Sequence, residues 1–374
     1  MEHYLGEDTF KLGFGLMRLL KNPDGSIDIP QVKRMADAFI AAGGTYFDTA
    51  YVYDGGASEA AFKAAVADRY PREAYTIATK LHATAGGCKD EESAKQEFRT
   101  SLERTGAGYF DYYLLHAIQR TTYQKYEEYH LWDYVKEQKE KGLIKHWGFS
   151  FHADPELLEE LLDRHPDAEF VQLQINYADW ENPGVASRRN WEICQAHGKP
   201  VVIMEPVKGG VLADPIPEVK KVLDGSGKGW SYAGWALRYA ASISGLIAVL
   251  SGMSNEAQME DNLRMMRDFR PMDAAEREVI RQAQEALNED KSIGCTACHY
   301  CTEGCPMRIA IPEIFNVVNR RKGSVEFRTK REYSIVTHNK GKASDCIACG
   351  QCEAVCPQHL PIIRLLEECR SLES

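Results

Sequence analysis

The sequence predicts an α/β fold, a (β/α)8 barrel, followed by a small and mainly α-helical domain. Short β-branched or aromatic runs alternate with amphipathic stretches over about 260 residues, which fits a closed barrel better than an open doubly wound sheet. No Gly-x-Gly-x-x-Gly follows an early strand, so the usual dinucleotide fingerprint is absent. Nine of the 11 cysteines fall after residue 290, which marks a separate C-terminal unit.

The predicted strands are short runs of β-branched and aromatic residues. They are Leu12–Met17, Thr45–Asp48, Tyr75–Thr79, Phe110–Leu115, Ile144–Phe149, Phe170–Ile175, Pro200–Met204 and Leu246–Leu250.

The predicted helices between them are Ile29–Ala42, Ser58–Asp68, Glu91–Arg104, Tyr123–Lys141, Pro155–Arg164, Ser187–His197 and Tyr232–Ser242. Gly43, Gly142 and Gly198 stand where helix C-terminal caps are expected. A linker over Asp268–Met272 and a helix over Asp273–Asp290 are expected next. The predicted organisation is therefore a barrel over 1–270, a connecting helix over 271–290 and a cysteine-rich domain over 291–374.

The same cysteine pattern, C-x2-C-x2-C-x3-C-P, occurs twice near the C-terminus, and this spacing is typical of [4Fe–4S] clusters. In two-cluster ferredoxins the fourth cysteine of each run binds the other cluster. One cluster is thus assigned to Cys295, Cys298, Cys301 and Cys356, and the second to Cys346, Cys349, Cys352 and Cys305. Zinc is the alternative, but zinc sites use two separated cysteine pairs, and a third cysteine two residues on has no tetrahedral role.

Composition and charge exclude several other classes of protein. Residues 291–374 carry 12 Lys or Arg against 9 Asp or Glu, whereas the first 290 carry 33 against 46. This acidic bulk without a dense basic stripe argues against nucleic-acid binding. No apolar run is long enough to cross a bilayer, so no membrane association is expected. The first residues show no positively charged segment followed by an apolar run, so secretion is not expected, and the many thiols lead us to expect a reducing cytoplasm.

Polar side chains stand at the ends of three neighbouring predicted strands. Asp48 ends the second strand, Lys80 the third and His116 the fourth, and Tyr53 follows Asp48 in the next loop. Taken alone, each has an ordinary structural explanation. Asp48 could cap the next segment and Lys80 could pair with an acid, while His116 could be a core histidine and Tyr53 could pack at the rim. A (β/α)8 barrel places its chemistry at the C-terminal ends of its strands, so the four together predict an active site.

These motifs resemble the aldo-keto reductase family over about residues 5–270: D-T-A-x-x-Y, then G-G-x-S-E, T-K and L-L-H. The tail resembles α-helical two-cluster ferredoxin domains, and the fusion resembles a bacterial and archaeal subgroup. The resemblance implies NAD(P)H-dependent interconversion of a carbonyl and an alcohol without a catalytic metal. It makes Tyr53 the general acid/base, Lys80 the charge that lowers its pKa, and Asp48 the carboxylate that fixes Lys80. His116 would orient the carbonyl oxygen or help relay the proton.

Cofactor residues also follow from the resemblance. Ser150 and Gln172 match positions that hold the nicotinamide carboxamide, and Met204 stands where a tyrosine usually stacks on the ring. Phe151 replaces the usual Asn, so His152 or a rotated geometry would supply the missing contact.

The loop at Lys208 is expected along the pyrophosphate. Gly252 and Gln258 replace the basic residues of NADPH-specific members, which leaves NADH or NADPH as the cofactor. Asp261 and Asn262 would hold the adenine.

Three functional hypotheses remain open at this point. The chain is a carbonyl/alcohol oxidoreductase with structural or redox-responsive clusters, an electron-transfer module that meets a redox partner protein, or a barrel that binds ligand with little turnover. The tail is expected to cover the barrel mouth. Arg18, Trp147 and Trp180 are candidates for lining the pocket, and the stretch 225–229 is expected to be a flexible connection.

Overall fold

The computed structural model describes residues 4–84, 88–288, 292–320 and 326–373. Eight parallel strands close into a barrel in chain order, with the last pairing back to the first. The strands are β1 Leu12–Gly15, β2 Tyr46–Asp48, β3 Thr76–Leu81, β4 Phe110–Ile118, β5 Ile144–Phe151, β6 Phe170–Gln174, β7 Val201–Met204 and β8 Leu246–Ser251. The predicted barrel is confirmed, although β1 ends early because residues 16–18 form a 3₁₀ turn.

Helices surround this barrel and bury their apolar faces against the strands. They are α1 Ile29–Ala41, α2 Ala57–Phe62, α3 Glu91–Thr105, α4 Tyr123–Glu128, α5 Leu131–Glu140, α6 Pro155–Arg164, α7 Ser187–Ala196, α8 Pro217–Gly225, α9 Tyr232–Ala241, α10 Glu256–Met266 and α11 Ala274–Asn288. After α2 the chain continues as one π-helical turn over Lys63–Ala67.

Two helix predictions need correction. The single helix expected over Tyr123–Lys141 is broken between α4 and α5 at His130, whose φ of 49° is left-handed. The side chain of His130 contacts Glu91 of α3. The sequence did not predict the break, because the spacing of apolar residues does not reveal a single residue with positive φ. Gly225 ends α8, a helix that the sequence did not predict, so the flexible connection begins one residue later than expected.

Helix α11 packs on the barrel. Its Ile280 and Ala283 are buried in a cluster with Leu223 of α8 and Trp235 of α9. Asp273 Oδ1 accepts from Glu276 N at 2.9 Å at the start of the helix. The segment predicted as a connecting helix is thus part of the outer helical layer.

The C-terminal domain has its own small core. Its helices are α12 Tyr300–Glu303, α13 Ile311–Arg320, α14 Glu326–Val336, α15 Gln351–Ala354 and α16 Ile362–Cys369. Ile314 and Phe315 of α13 pack with Leu366 of α16 around buried cysteines. This mainly helical architecture confirms the prediction.

The two cysteine runs share one backbone conformation. Ala297 and His299 in the first run have φ of 51° and 66°, and Ala348 and Gly350 repeat this at 54° and 78°. A left-handed backbone conformation costs energy for every residue type other than glycine, so its repetition at alternate positions is unusual. Each run therefore bends back on itself and turns its first three thiols toward one cavity.

Among the described residues, no helix combines the length and the apolar character that a membrane span requires.

Candidate active site and cluster sites

Lys80 and Asp48 form a buried ion pair at the C-terminal ends of β3 and β2. The Nζ atom of Lys80 lies 2.6 Å from Asp48 Oδ1 and donates to the carbonyl oxygen of Thr49 at 2.6 Å. Burial lowers the pKa of Lys80 and raises the pKa of Asp48, and each charge opposes the shift of its partner. The attraction between the two groups therefore opposes the neutralisation that burial favours.

Tyr53 and His116 stand next to this pair. The ring centroid of Tyr53 is 5.0 Å from Lys80 Nζ and 5.6 Å from the ring of His116. Tyr53, Lys80, Asp48 and His116 all line one cavity of about 960 Å³ at the C-terminal end of the barrel. The structure thus brings together the four residues that the sequence placed at strand ends.

The pKa of Tyr53 differs from the sequence expectation. It lies well above 10, because the hydroxyl is shielded from water and because Tyr300, Asp48 and Glu205 disfavour the phenolate. The Lys80 ammonium does not bring it below the ordinary value, because burial is the largest effect on this phenol. The phenol is therefore protonated in this pocket.

Three histidines near the mouth are neutral. Burial, together with His82, Lys80 and His152, holds the pKa of His116 well below 6.5. Burial lowers the pKa of His82 to about 4 and that of His152 to about 3. His116 Nδ1 has no hydrogen-bond partner within the described part of the chain. A neutral imidazole at this position orients a ligand by hydrogen bonding and adds no positive charge.

The cavity has polar atoms that fit a carboxamide. Ser150 Oγ accepts from Ala117 N at 2.7 Å, which leaves the hydroxyl hydrogen of Ser150 free to donate. Gln172 Oε1 is buried and has no partner among the described residues. One donor and one acceptor suit the two halves of an amide. His152 and Met204 also line this part of the cavity, whereas Phe151 is buried in the barrel core.

The far end of the cavity is built from the loop after β8 and the start of α10. Gly252, Gln258, Asp261 and Asn262 line it, as the sequence predicts for a cofactor site. Gln258 Oε1 accepts from Ser254 N at 2.7 Å, and Asn262 Nδ2 donates to Ser251 Oγ at 2.8 Å. These bonds hold the loop in one conformation.

Lys208 was expected to face the cofactor, but its side chain does not line the cavity. Its ammonium contacts the buried carboxylate of Asp179, while the backbone of Gly209 and Gly210 lines the cavity. A pyrophosphate along this loop would therefore meet backbone groups rather than the Lys208 side chain.

Of the three candidate pocket residues, Arg18 lines the cavity and the two tryptophans do not. Trp147 is 3% exposed and packs against Trp132, and Trp180 packs against Trp191 and Tyr239. Both tryptophans belong to the packing between the barrel and its helices.

The C-terminal domain forms one wall of the same cavity. Thr296, Cys298, Tyr300, Pro357 and Gln358 contribute to it, opposite the barrel residues. The expectation that the tail covers the barrel mouth agrees with this placement. Sequence reasoning missed these wall residues because their neighbours in the chain, the cysteines, indicate clusters rather than a substrate pocket.

Sequence reasoning also missed Glu205, a second cavity residue. It follows β7 with a left-handed φ of 57°, and Oε2 is buried with no hydrogen-bond partner among the described residues. Arg18 Nη2 lies 3.7 Å from its other oxygen. Its position directly after a strand was a signal that could have identified it.

The cysteines gather into two groups of four, as the exchanged pattern predicts. Cys295, Cys298, Cys301 and Cys356 line one cavity, and Cys305, Cys346, Cys349 and Cys352 line another. Among the described cysteines no three sulfur atoms lie within 4.8 Å of one another. Tetrahedral zinc with Zn–S of about 2.3 Å needs sulfurs about 3.8 Å apart. The described sulfur atoms therefore do not form a preassembled tetrahedral zinc site, and the C-x2-C-x2-C-x3-C-P spacing favours a cubane cluster.

Comparison with family models matches both parts of the chain. Residues 11–285 match the model described as the aldo/keto reductase family. Residues 294–360 match the model described as a 4Fe-4S dicluster domain.

Curated relatives align with only part of the chain. An aldo-keto reductase from Strobilurus tenacellus is 28% identical over 212 residues, 54% of this chain and 59% of that protein. A probable aldo-keto reductase from Glycine max is 29% identical over 181 residues, 47% of this chain and 50% of that protein. The chain thus spans about half the length of these two curated relatives.

Solved structures share the barrel. The holo form of an aldo-keto reductase from Bacillus halodurans gives a TM-score of 0.60 at 24% identity, covering 75% of this chain and 95% of that one. A Klebsiella pneumoniae aldo/keto reductase in complex with NADP and acetate gives 0.58 at 20% identity, covering 75% and 92%. At these identities the likeness shows the fold.

Proposed function

Because the chain belongs to the aldo/keto reductase family, we propose that it is an NAD(P)H-dependent oxidoreductase that interconverts a carbonyl compound and an alcohol. The observation that carries this proposal is the meeting of Tyr53, His116 and the Lys80–Asp48 ion pair at one end of a long cavity. The substrate is a small carbonyl or alcohol, and the compartment is a reducing cytoplasm.

The chain's own residues supply the proton and the orientation. When bound, a reduced nicotinamide would supply hydride to the carbonyl carbon. Tyr53 is protonated and donates its hydroxyl proton to the carbonyl oxygen as negative charge develops there. Lys80 stabilises the tyrosinate that results, and Asp48 keeps Lys80 in place. Neutral His116 hydrogen-bonds the same oxygen.

Support for a nicotinamide cofactor comes from the shape and polarity of the cavity. The unpartnered Gln172 Oε1 and the free hydroxyl hydrogen of Ser150 suit the carboxamide, with Met204 beside it. At the other end, Gly252 and Gln258 offer no charge to a 2′-phosphate, and Arg264 lies 2.5 Å from Asp261. The Klebsiella relative is described with NADP. The cofactor is NADPH or NADH, and the two dissociation constants measured side by side identify which is preferred.

We assign two [4Fe–4S] clusters to the C-terminal domain. Cluster 1 takes Cys295, Cys298, Cys301 and Cys356, and cluster 2 takes Cys346, Cys349, Cys352 and Cys305. The enclosed, cysteine-lined cavities support both sets.

Tyr53→Phe tests the assignment of the acid. Removing the hydroxyl leaves the ring in place, so nucleotide affinity is expected to stay unchanged while carbonyl reduction falls about 100-fold or more. Tyr51→Phe is a matched control, because Tyr51 stacks on Arg104 outside the cavity. Equal turnover in the two variants, with nucleotide bound, would remove Tyr53 from the mechanism.

A second candidate function is electron transfer through the clusters to a redox partner protein. It is supported by Cys298, a proposed ligand of cluster 1 that lines the same cavity as Tyr53. Nicotinamide gives two electrons with a proton, whereas each cluster accepts one. An anaerobic titration with NADH and with NADPH distinguishes the two functions. Bleaching of the cluster absorbance supports electron transfer, and nucleotide binding without bleaching supports an electronically separate reductase.

A further inference from the structure

The loop that carries three ligands of cluster 1 is fastened to the barrel. Arg18 follows β1, and its Nη2 atom donates to the carbonyl oxygen of Thr296 at 2.9 Å. Gly209, which follows β7, has a φ of 61°, and a Cβ atom there would lie 2.4 Å from the same oxygen. The loop over 295–301 and the barrel backbone therefore touch without room for a side chain.

A second attachment holds the segment that carries the fourth proposed ligand of cluster 1. The amides of Gln174, at the end of β6, and Gln358 bond each other reciprocally at 3.2 and 3.0 Å. Gln358 is two residues after Cys356, the fourth proposed ligand of cluster 1. Both chain segments that carry proposed ligands of cluster 1 are thus attached to the barrel mouth.

Tyr300 is the residue that this attachment delivers to the active site. It lies between Cys298 and Cys301, begins α12 and lines the cavity. Tyr53 lines the same cavity, and the nearness of Tyr300 contributes to the raised pKa of Tyr53. A side chain from the cluster loop therefore stands beside the hydroxyl that donates the proton.

We propose that Tyr300 is a substrate-positioning residue that the cluster domain contributes to the barrel's active site. This inference rests on the proposed carbonyl reduction. The Tyr300 hydroxyl holds the Tyr53 hydroxyl toward the carbonyl oxygen, and the Tyr300 ring limits the size of the group attached to the carbonyl carbon. The substrate class is consequently a compact carbonyl compound, admitted under the cluster loop.

Tyr300→Phe and Tyr300→Ala test the two parts of the proposal on the cluster-loaded, full-length protein. For Phe, kcat/KM for a small aldehyde is expected to fall about tenfold, as the loss of one hydrogen bond predicts, with nucleotide affinity unchanged. For Ala, activity on bulky aldehydes should rise relative to small ones. Iron content is measured in each preparation, and activities are compared per loaded protein.

Tyr333→Phe is the matched control, because it removes a phenol hydroxyl from the same domain away from the cavity. Tyr333 bonds Glu373 at 2.8 Å and Ala343 at 2.9 Å. If Tyr300→Phe behaves as Tyr333→Phe does, or if its loss of activity follows iron content alone, Tyr300 has no positioning role and the proposal is wrong.

A binding measurement separates this inference from the proposed function. The dissociation constant of benzoate, a carboxylate analogue of an aldehyde, is measured for the nucleotide complex by protein fluorescence. Weaker benzoate binding in Tyr300→Phe than in Tyr333→Phe supports the positioning role even if the wild-type protein reduces none of the carbonyls tried. A wild-type protein that reduces no carbonyl would overturn the proposed reductase function but not the role of Tyr300. Equal benzoate binding in the two variants would overturn the role of Tyr300.

Discussion

Single buried residues decide the electrostatics of this barrel, and Glu97 is the sharpest case. It lies in α3 at 2% exposure, and burial, with a contribution from Glu59, raises its pKa to about 8. Its Oε2 accepts from His82 N at 2.9 Å, but Oε1 has no hydrogen-bond partner among the described residues. Folding therefore takes up a proton at Glu97, and stability present below about pH 4.5 is lost as the pH rises toward 8.

Glu97→Gln is expected to stabilise the protein at pH 8 and to leave stability near pH 4.5 unchanged. The amide keeps the acceptor for His82 and removes the charge, which is worth about 2–4 kcal/mol at pH 8. Anaerobic urea unfolding at the two pH values measures this. Glu169→Gln should show the opposite sign, because Glu169 has a lowered pKa and binds Lys139 and His146. A Glu97→Gln variant that is less stable than wild type at pH 8 would contradict the assignment.

Residue types at strand ends were enough to predict much of the site. Asp48, Lys80 and His116 end neighbouring strands, and barrel topology alone brings such residues together. The pKa of Tyr53 was not predictable, since it depends on shielding from water and on Tyr300, which is remote in the chain.

At the scale of elements, two adjacent glycines after β7 offer a direct test of how the cluster loop meets the barrel. Gly209 and Gly210 both have positive φ, at 61° and 98°. A Cβ at 209 would collide with Thr296, whereas a Cβ at 210 has nothing within 4 Å. Gly209→Ala should therefore release the cluster domain to proteolysis and lower the melting temperature. Gly210→Ala should show only the cost of left-handed backbone, about 1 kcal/mol. Equal behaviour of the two variants would show that the close approach is unimportant.

The elements also show where periodicity fails as a guide. The strands and most helices follow the apolar pattern, so their existence was predictable. The break at His130 and the helix α8 were not, because one left-handed residue or a short helix near glycines leaves almost no periodic signal.

At the scale of the whole molecule, the two cluster groups have unequal surroundings although their sequences repeat. The cysteines proposed for cluster 1 lie on segments that the Arg18 and Gln174 hydrogen bonds attach to the barrel. The cluster 2 cavity is bordered by the exposed apolar side chains of Ile347, 60% exposed, and Met307, 38% exposed. The cysteine spacing leads to the proposed ligand sets, but the repeat gave no sign that, among the described residues, the first group alone would contribute to the active-site cavity.

This asymmetry predicts an order of cluster loss. Under limited oxidation with a chelator, about half of the iron should leave in a fast phase from cluster 2, with nucleotide binding and carbonyl reduction retained. Activity should fall in the slow phase, because loss of cluster 1 frees the loop that holds Tyr300 in the cavity. Cys349→Ser, at the exposed ligand of cluster 2, should leave activity in place, whereas Cys301→Ser should reduce it. Iron release and activity followed on one sample measure the order, and activity lost with the first half of the iron would show that cluster 2 supports the barrel as closely as cluster 1 does.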